Sequence, residues 1–267
     1  MKKYMSFFKI RFIAGMQYRA AAWAGIATQF AWGGMTLLMF WAFYENGENI
    51  FPMTFPELSN YIWMQQAFLS MFMAWFFDNE IFDAIMTGNI AYELCRPIDL
   101  YNMWFIKNMA IRLSRMVLRC LPILIVAALL PYPFNLTLPP APVYGVMFVI
   151  SIFFGFLVLI AFSMLLYISA FYTLSPVGIR ILATSVIEFF AGAIIPLPFF
   201  PQALQPIMYA LPFASMQNTP FLIYTGYTTG FEAIRSMLLQ AGWFVILLVS
   251  GKLLMKRALK KVVVQGG

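Results

Sequence analysis

The 267-residue sequence contains no histidine and only two cysteines. Without histidine there is no Ser-His-Asp or Cys-His catalytic set, no imidazole metal ligand, and no side chain that ordinarily titrates near neutral pH. Cys95 and Cys120 stand far apart, in no CxxC or other metal-ligand spacing. Both fall at or near the side read below as cytoplasmic, where thiols stay reduced, so neither a disulfide nor a metal site is expected. Charge is scarce too: 10% of the residues are charged and 63% are hydrophobic, whereas a soluble domain carries about 25% charge on a surface that must meet water. With a mean hydropathy of +0.82, the excess apolar surface has to face lipid, which makes this a polytopic membrane protein and sets soluble enzyme folds aside. The apolar runs are long and continuous rather than alternating, so an outer-membrane barrel is excluded as well. The chain has no GxxxxGK[ST] phosphate loop and no soluble stretch large enough for a nucleotide-binding domain. It shows no internal repeat of the kind that builds many secondary transporters.

What is present is a series of apolar runs, each near the roughly 20 residues that a spanning helix needs. Six are found, at 21–44, 58–77, 112–130, 143–172, 181–196 and 233–254. Trp23 and Trp41 lie near the two ends of the first, where indoles favour the interface. That run is too long for a signal peptide and is followed by Glu45-Asn46-Gly47-Glu48 rather than small residues, so no cleavable leader is expected. The region 189–224 is also apolar but is cut by Pro196, Pro198, Pro201, Pro206, Pro212 and Pro220, too broken for another straight span. The expected fold is an all-α membrane protein forming one transmembrane domain over 1–267.

Basic residues orient it. Lys2, Lys3, Lys9, Arg11 and Arg19 precede the first run. Arg96, Lys107, Arg112, Arg115 and Arg119 lie between the second and third runs or at the start of the third, and Arg180 lies between the fourth and fifth. Lys252, Lys256, Arg257, Lys260 and Lys261 close the chain. Every Lys and Arg except Arg235 thus falls on one side, and cytoplasmic segments carry the Lys/Arg excess. Both termini are expected in the cytoplasm, which an even number of spans satisfies. The formal charge of +7 then reads as topology signals and headgroup contacts. No basic patch interleaved with exposed aromatics points to nucleic acid. The segment 2–20 is expected to be an interfacial helix, with Met5, Phe8, Phe12 and Met16 on one face; a charged start that merely orients the first span is the plainer alternative.

The stretch 78–99, DNEIFDAIMTGNIAYELCRPID, carries local signals of its own. Asp78, Glu80 and Asp83 favour the start of a short helix, and Ile81 and Ile85 share a face of it. Gly88 is placed to stop that helix. An extended run through Arg96-Pro97 leads to Asp99, an N-cap for a helix that can continue from Leu100 to Leu130, with Pro122 inside. Apolar side chains here are not visibly used by a core, so the segment reads either as a docking surface or as a loop folded on the membrane.

The six runs, the basic N-terminal segment, the IMTGNIAYELCRPI motif and the proline-rich stretch before the last run together resemble the membrane subunit of a type-2 ABC exporter, in particular stand-alone bacterial permeases without a fused ATPase. The resemblance implies a multi-pass permease of the bacterial cytoplasmic (inner) membrane that moves an amphipathic or hydrophobic compound outward (a drug, lipid or peptide). It implies a coupling helix at 78–99 inserted into a groove of a cytosolic ABC ATPase. Ile81, Ile85, Gly88, Leu94, Arg96 and Pro97 take the pattern positions, with Glu80, Phe82, Asp83 and Met86 on the same helix. It also implies short re-entrant helices over 194–226, a second permease (an identical or related copy), and ATP and Mg bound by the partner ATPase, with no cofactor on this chain.

Within the runs, Glu188 is the one clear carboxylate, and Gln65 and Gln66 are the costly amides. These three are the candidate translocation-path residues, while hydrogen bonding between helices accounts equally for the glutamines. An ion-coupled carrier or channel built on Glu188 is the alternative reading. An intramembrane enzyme has no catalytic set to draw on. Arg112, Arg115 and Arg119 share a helix face and are expected to snorkel to headgroups.

Overall fold

The computed structural model describes residues 2–45, 47, 51–173 and 175–260. Asn46 and Glu48 of the first connection and Lys261 of the terminal basic group lie outside the described residues. Regular structure among them is helical throughout, with no strand. In chain order the helices are α1 (Lys2–Met16), α2 (Arg19–Tyr44), α3 (Phe55–Phe72), α4 (Asn79–Met86), α5 (Ile90–Leu94), α6 (Leu100–Ala128), α7 (Pro142–Ser169), α8 (Val177–Phe190), α9 (Gln205–Ala210), α10 (Asn218–Thr225) and α11 (Gly230–Leu259). A 3-10 turn, Ala170–Tyr172, extends α7.

Three of these are long and apolar enough to cross a membrane: α2, α7 with its turn, and α11. The other three runs took forms that the composition did not show. α3 places Ser59, Asn60, Gln65, Gln66 and Ser70 in the interior and stops at Phe72, so the expected 58–77 run is helical only in part. α6 is one 29-residue helix, as its Asp99 cap and apolar tail led us to expect, but Lys107, Arg112, Arg115 and Arg119 dilute it as far as its twentieth residue. α8 begins at Val177 and ends at Phe190 rather than covering 181–196. Its 14 residues reach about 21 Å at 1.5 Å each. It stops because Gly192 adopts φ 72°, a left-handed turn that only glycine makes without strain.

α3 is the hub. It packs on α6, α2 and α10, while α7 pairs with α11 and α10. Tyr61 and Phe72 meet the Phe221 ring edge-on, at centroid distances of 5.5 and 6.0 Å, a geometry that adds about 0.5–1.5 kcal/mol per pair beyond area burial. α7 approaches the 215–216 backbone so closely that a Cβ on Gly155 would lie 2.0 Å from the Met216 carbonyl. The fully buried Gln240 of α11 donates to the Ser215 and Ser151 carbonyls at 2.8 and 3.1 Å and accepts from the Ser151 hydroxyl at 2.8 Å. It thus satisfies itself while joining α11, α7 and the proline-rich stretch.

That stretch, 194–226, holds a 3-10 turn at Leu197–Phe199 followed by α9 and α10. Every residue of α10 is buried, and Gly226 ends it at φ 80°. Asn218, its first residue, is the anchor. Its Oδ1 accepts from the Leu197 amide at 3.2 Å and from the Tyr61 hydroxyl at 3.0 Å, and that hydroxyl also lies 3.0 Å from the Gly192 carbonyl. The middle of α3, the end of α8 and the start of α10 therefore share one hydrogen-bonded point.

Candidate functional site

The connection from α3 to α6 is built on two buried cations. When α3 stops at Phe72, its last carbonyls lose their intrahelical partners and need other donors. Arg112, fully buried on α6, supplies them: its Nη1 donates to the Met71 and Met73 carbonyls at 3.1 and 2.9 Å, and its Nη2 donates to the Phe76 carbonyl at 2.8 Å. A planar fork suits several carbonyls at once, and positive charge suits a helix C-terminus. The expectation that Arg112 snorkels to lipid headgroups is thereby corrected. Arg115 is half-buried, with its Cζ 3.9 Å from the Phe76 ring centre, and Arg119 donates to the Ala21 carbonyl at 3.2 Å.

One turn before Arg112 lies Lys107, 4% exposed. Its Nζ is 2.7 Å from Asp78 Oδ2 and 2.6 Å from Glu80 Oε2, and Arg11 of α1 reaches Glu80 at 3.5 Å. Asp78 uses its other oxygen to cap α4, accepting the Glu80 amide at 3.0 Å, and its own amide donates to the Tyr167 hydroxyl at 2.7 Å. The hydrogen bond and charge of Lys107 hold the Glu80 carboxyl below its ordinary range, with a smaller contribution from Arg11.

From this base α4 and α5 project with an inner and an outer face. Ile81, Phe82 and Ile90 are buried in a core with Phe77, Trp104 and Tyr167, and Ile85 packs partly on it. Arg180, near the start of α8, lies about 5 Å over the Phe77 and Phe82 rings and donates to Asn79 at 3.1 Å. The presumption that apolar side chains here were unspent is therefore wrong for Ile81 and Phe82. The outer face carries Asp83, Met86, Tyr92, Leu94, Arg96 and Pro97, all exposed. Tyr92, at 76% the most exposed large hydrophobic side chain of this segment, was not among the expected site residues. Gly88 turns the chain at φ 76° with open space where a Cβ would lie. The stretch after it is helical as α5, not extended. Burial of Ile90 and a 2.7 Å bond from Trp104 Nε1 to Glu93 hold that extra turn in place.

The candidate path residues divide. Gln65 donates through Nε2 to the carbonyls of Ala193 and Gly192, just beyond α8. Glu188, in the last turn of α8, lines a small crevice there with Leu69, Trp75 and Gln217. Gln66 instead faces α2, where a Cβ on Gly33 would lie 3.1 Å from its Cγ. Both cysteines are free, Cys95 exposed and Cys120 buried. Sequence reasoning missed Lys107 as a structural cation. The signal was a lysine five residues ahead of Arg112 on the same helix, facing the acidic Asp78–Glu80 start of α4.

Long apolar helices packed with a polar-centred α3, and a short two-faced segment braced at one end, are the build of an integral membrane protein. A family model described as "ABC-2 family transporter protein" matches residues 30–266, and the chain belongs to that family, whose members are membrane subunits of transporters. A comparison with curated proteins finds no match.

Proposed function

We propose that the chain is the permease subunit of an ATP-driven exporter in the bacterial inner membrane, carrying an amphipathic or hydrophobic compound outward. It crosses six times with both termini in the cytoplasm and works with a second permease. A separate cytosolic ATPase binds ATP and Mg and seats against the outer face of the 78–99 segment. The observation that carries this reading is the two-faced build of α4–α5. One face is locked by Ile81, Phe82 and Ile90, and the other offers Met86, Tyr92 and Leu94 to water beside Arg96 and Pro97.

Such a segment transmits force. A push on α4–α5 passes through the Arg112 fork to the end of α3 and through Asp78–Lys107 to α6. α3 carries it on to the ends of α8 and α10 through Gln65 and Tyr61. Relative movement of these helices opens a cleft toward the partner permease.

The test is recovery of ATPase with the affinity-tagged, detergent-solubilised native chain and with Met86→Asp/Leu94→Asp. Each variant side chain starts from an exposed position, so thermal stability should stay within a few degrees of native. We expect ATPase recovery to fall at least tenfold, because charges placed at the centre of an apolar contact cost on the order of 1–3 kcal/mol or more. Equal recovery with both chains moves the docking site elsewhere. No ATPase with either chain overturns the exporter reading.

A further inference from the structure

The geometry points to a binding site for a phosphate-bearing headgroup between α1, α2, α4 and α6. A cavity of about 570 Å³ opens there, with Arg11, Lys107, Arg115 and Arg119 on its wall facing Asp78 and Glu80. Four cations against two carboxylates leave two positive charges in excess. The excess is localised: Asp78 and Glu80 are taken by Lys107 and Arg11, whereas neither Arg115 nor Arg119 forms an ion pair among the described residues. Arg115 lies over the Phe76 ring and Arg119 spends one bond on Ala21, so most of their N–H donors are left for an acceptor. A partly buried guanidinium with unused donors is the usual partner of a phosphate.

A second, independent feature faces the same space. α2 starts at Arg19 with no side-chain cap and no acidic residue in its first turn, and Tyr18, Ala21 and Ala22 of that turn line the cavity. The Arg19 and Ala22 amides are bonded to the Gln17 and Tyr18 carbonyls, which leaves those of Ala20 and Ala21 at this helix start to attract an anion. Gly25 completes the arrangement, since a Cβ there would lie 2.4 Å from Arg119 Cζ; its absence lets the guanidinium lie against α2.

Size and polarity select the ligand. At about 30 Å³ per water molecule the cavity holds roughly twenty of them, far more than a free phosphate fills and within the range of small-molecule sites. Ala14, Ile111 and Leu118 make part of its wall apolar, and Tyr18 and Asn79 add polar groups to the rest. It lies beside the start of α2, one of the helices long enough to span a membrane, which is the level of lipid phosphates. The class is therefore an anionic phospholipid headgroup, and bound there it ties α1 and α2 to the base of the 78–99 segment. Because the readout is lipid retention, this inference stands or falls separately from the exporter reading.

Native mass spectrometry of the full chain, released from mixed micelles of phosphatidylglycerol or phosphatidylcholine, measures that retention. We expect one tightly held phosphatidylglycerol and no equivalent phosphatidylcholine. Arg115→Gln/Arg119→Gln should weaken retention roughly tenfold or more, since two basic contacts are lost. Lys252→Gln/Lys256→Gln, which removes the same charge from exposed positions on α11, should not. Arg119→Gln alone leaves the Phe76 contact intact and should give a partial loss, which covers the case in which the double variant fails to fold. Glycerol phosphate or inorganic phosphate binding as tightly as the lipid, and lost in the same variant, would assign the site to a free phosphate compound. Equal loss in both charge-matched pairs, or no preference over phosphatidylcholine, overturns the proposal.

Discussion

Replacing Arg112 with methionine should cost on the order of 4 kcal/mol, which for a chain of this size lowers the apparent melting temperature in detergent by about 10 °C. The Arg112 guanidinium is fully buried and closes three carbonyl contacts at the end of α3. Methionine matches its length and apolar stem, so the loss comes from the charge-assisted bonds and from carbonyls left without donors. Lysine should recover little, because a single ammonium cannot span Met71, Met73 and Phe76 together. Native chain and variants are compared at one scan rate, since unfolding of such chains is generally irreversible and the apparent midpoint depends on that rate. A drop of under 2 °C for Arg112→Met would mean that the break after α3 is held by other contacts.

Lys107→Met should be comparably damaging, about 3–5 kcal/mol, because it strands Asp78 in a site where Asp78 is only 8% exposed. The informative comparison is the double variant Asp78→Asn/Lys107→Met. Asparagine still caps α4 and brings no buried charge, so the double variant should regain most of what Lys107→Met loses. If it does not, the pair is not a charge-compensated unit. Glu80→Gln should matter less, since that carboxylate is largely exposed. Its sign with pH is fixed: Lys107 lowers the folded-state pKa of Glu80, so its contribution is present above the ordinary glutamate pKa. That contribution is lost as acid brings the pH down through the lowered value.

How much of this was readable depended on how far each signal reaches. The Asp99 cap, the Asp78 start and the Gly88 stop are settled by side chains within a few residues, and each stands in the structure where local chemistry put it. The family resemblance was likewise legible in motifs and layout. The C-terminal stop of α8 was also local, but Gly192 in a run of apolar residues was passed over in favour of Pro196. The fate of Arg112 was not local. Three arginines on one helix face look alike until α3 ends opposite one of them, and only tertiary packing decides which. The same holds for Ile81 against Met86: both are apolar residues on one short helix, but Trp104 and Tyr167 cover the first and leave the second exposed. α5 formed against an extended expectation because Ile90 had a core to enter.

The 78–99 segment is thus a bracket whose inner face is fixed to α6 and α7 and whose outer face is free, and the account rests on what meets that outer face. Cys95 sits at the end of α5 as an exposed free thiol, while Cys120 is buried, so the native chain reports on this surface without substitution. The decisive measurement is labelling of Cys95 with a membrane-impermeant maleimide in sealed inside-out and right-side-out vesicles, before and after washing off peripheral proteins. The account predicts labelling only in inside-out vesicles and a marked increase once the ATPase is washed away. Labelling from the external face, or the same rate before and after washing, would contradict it.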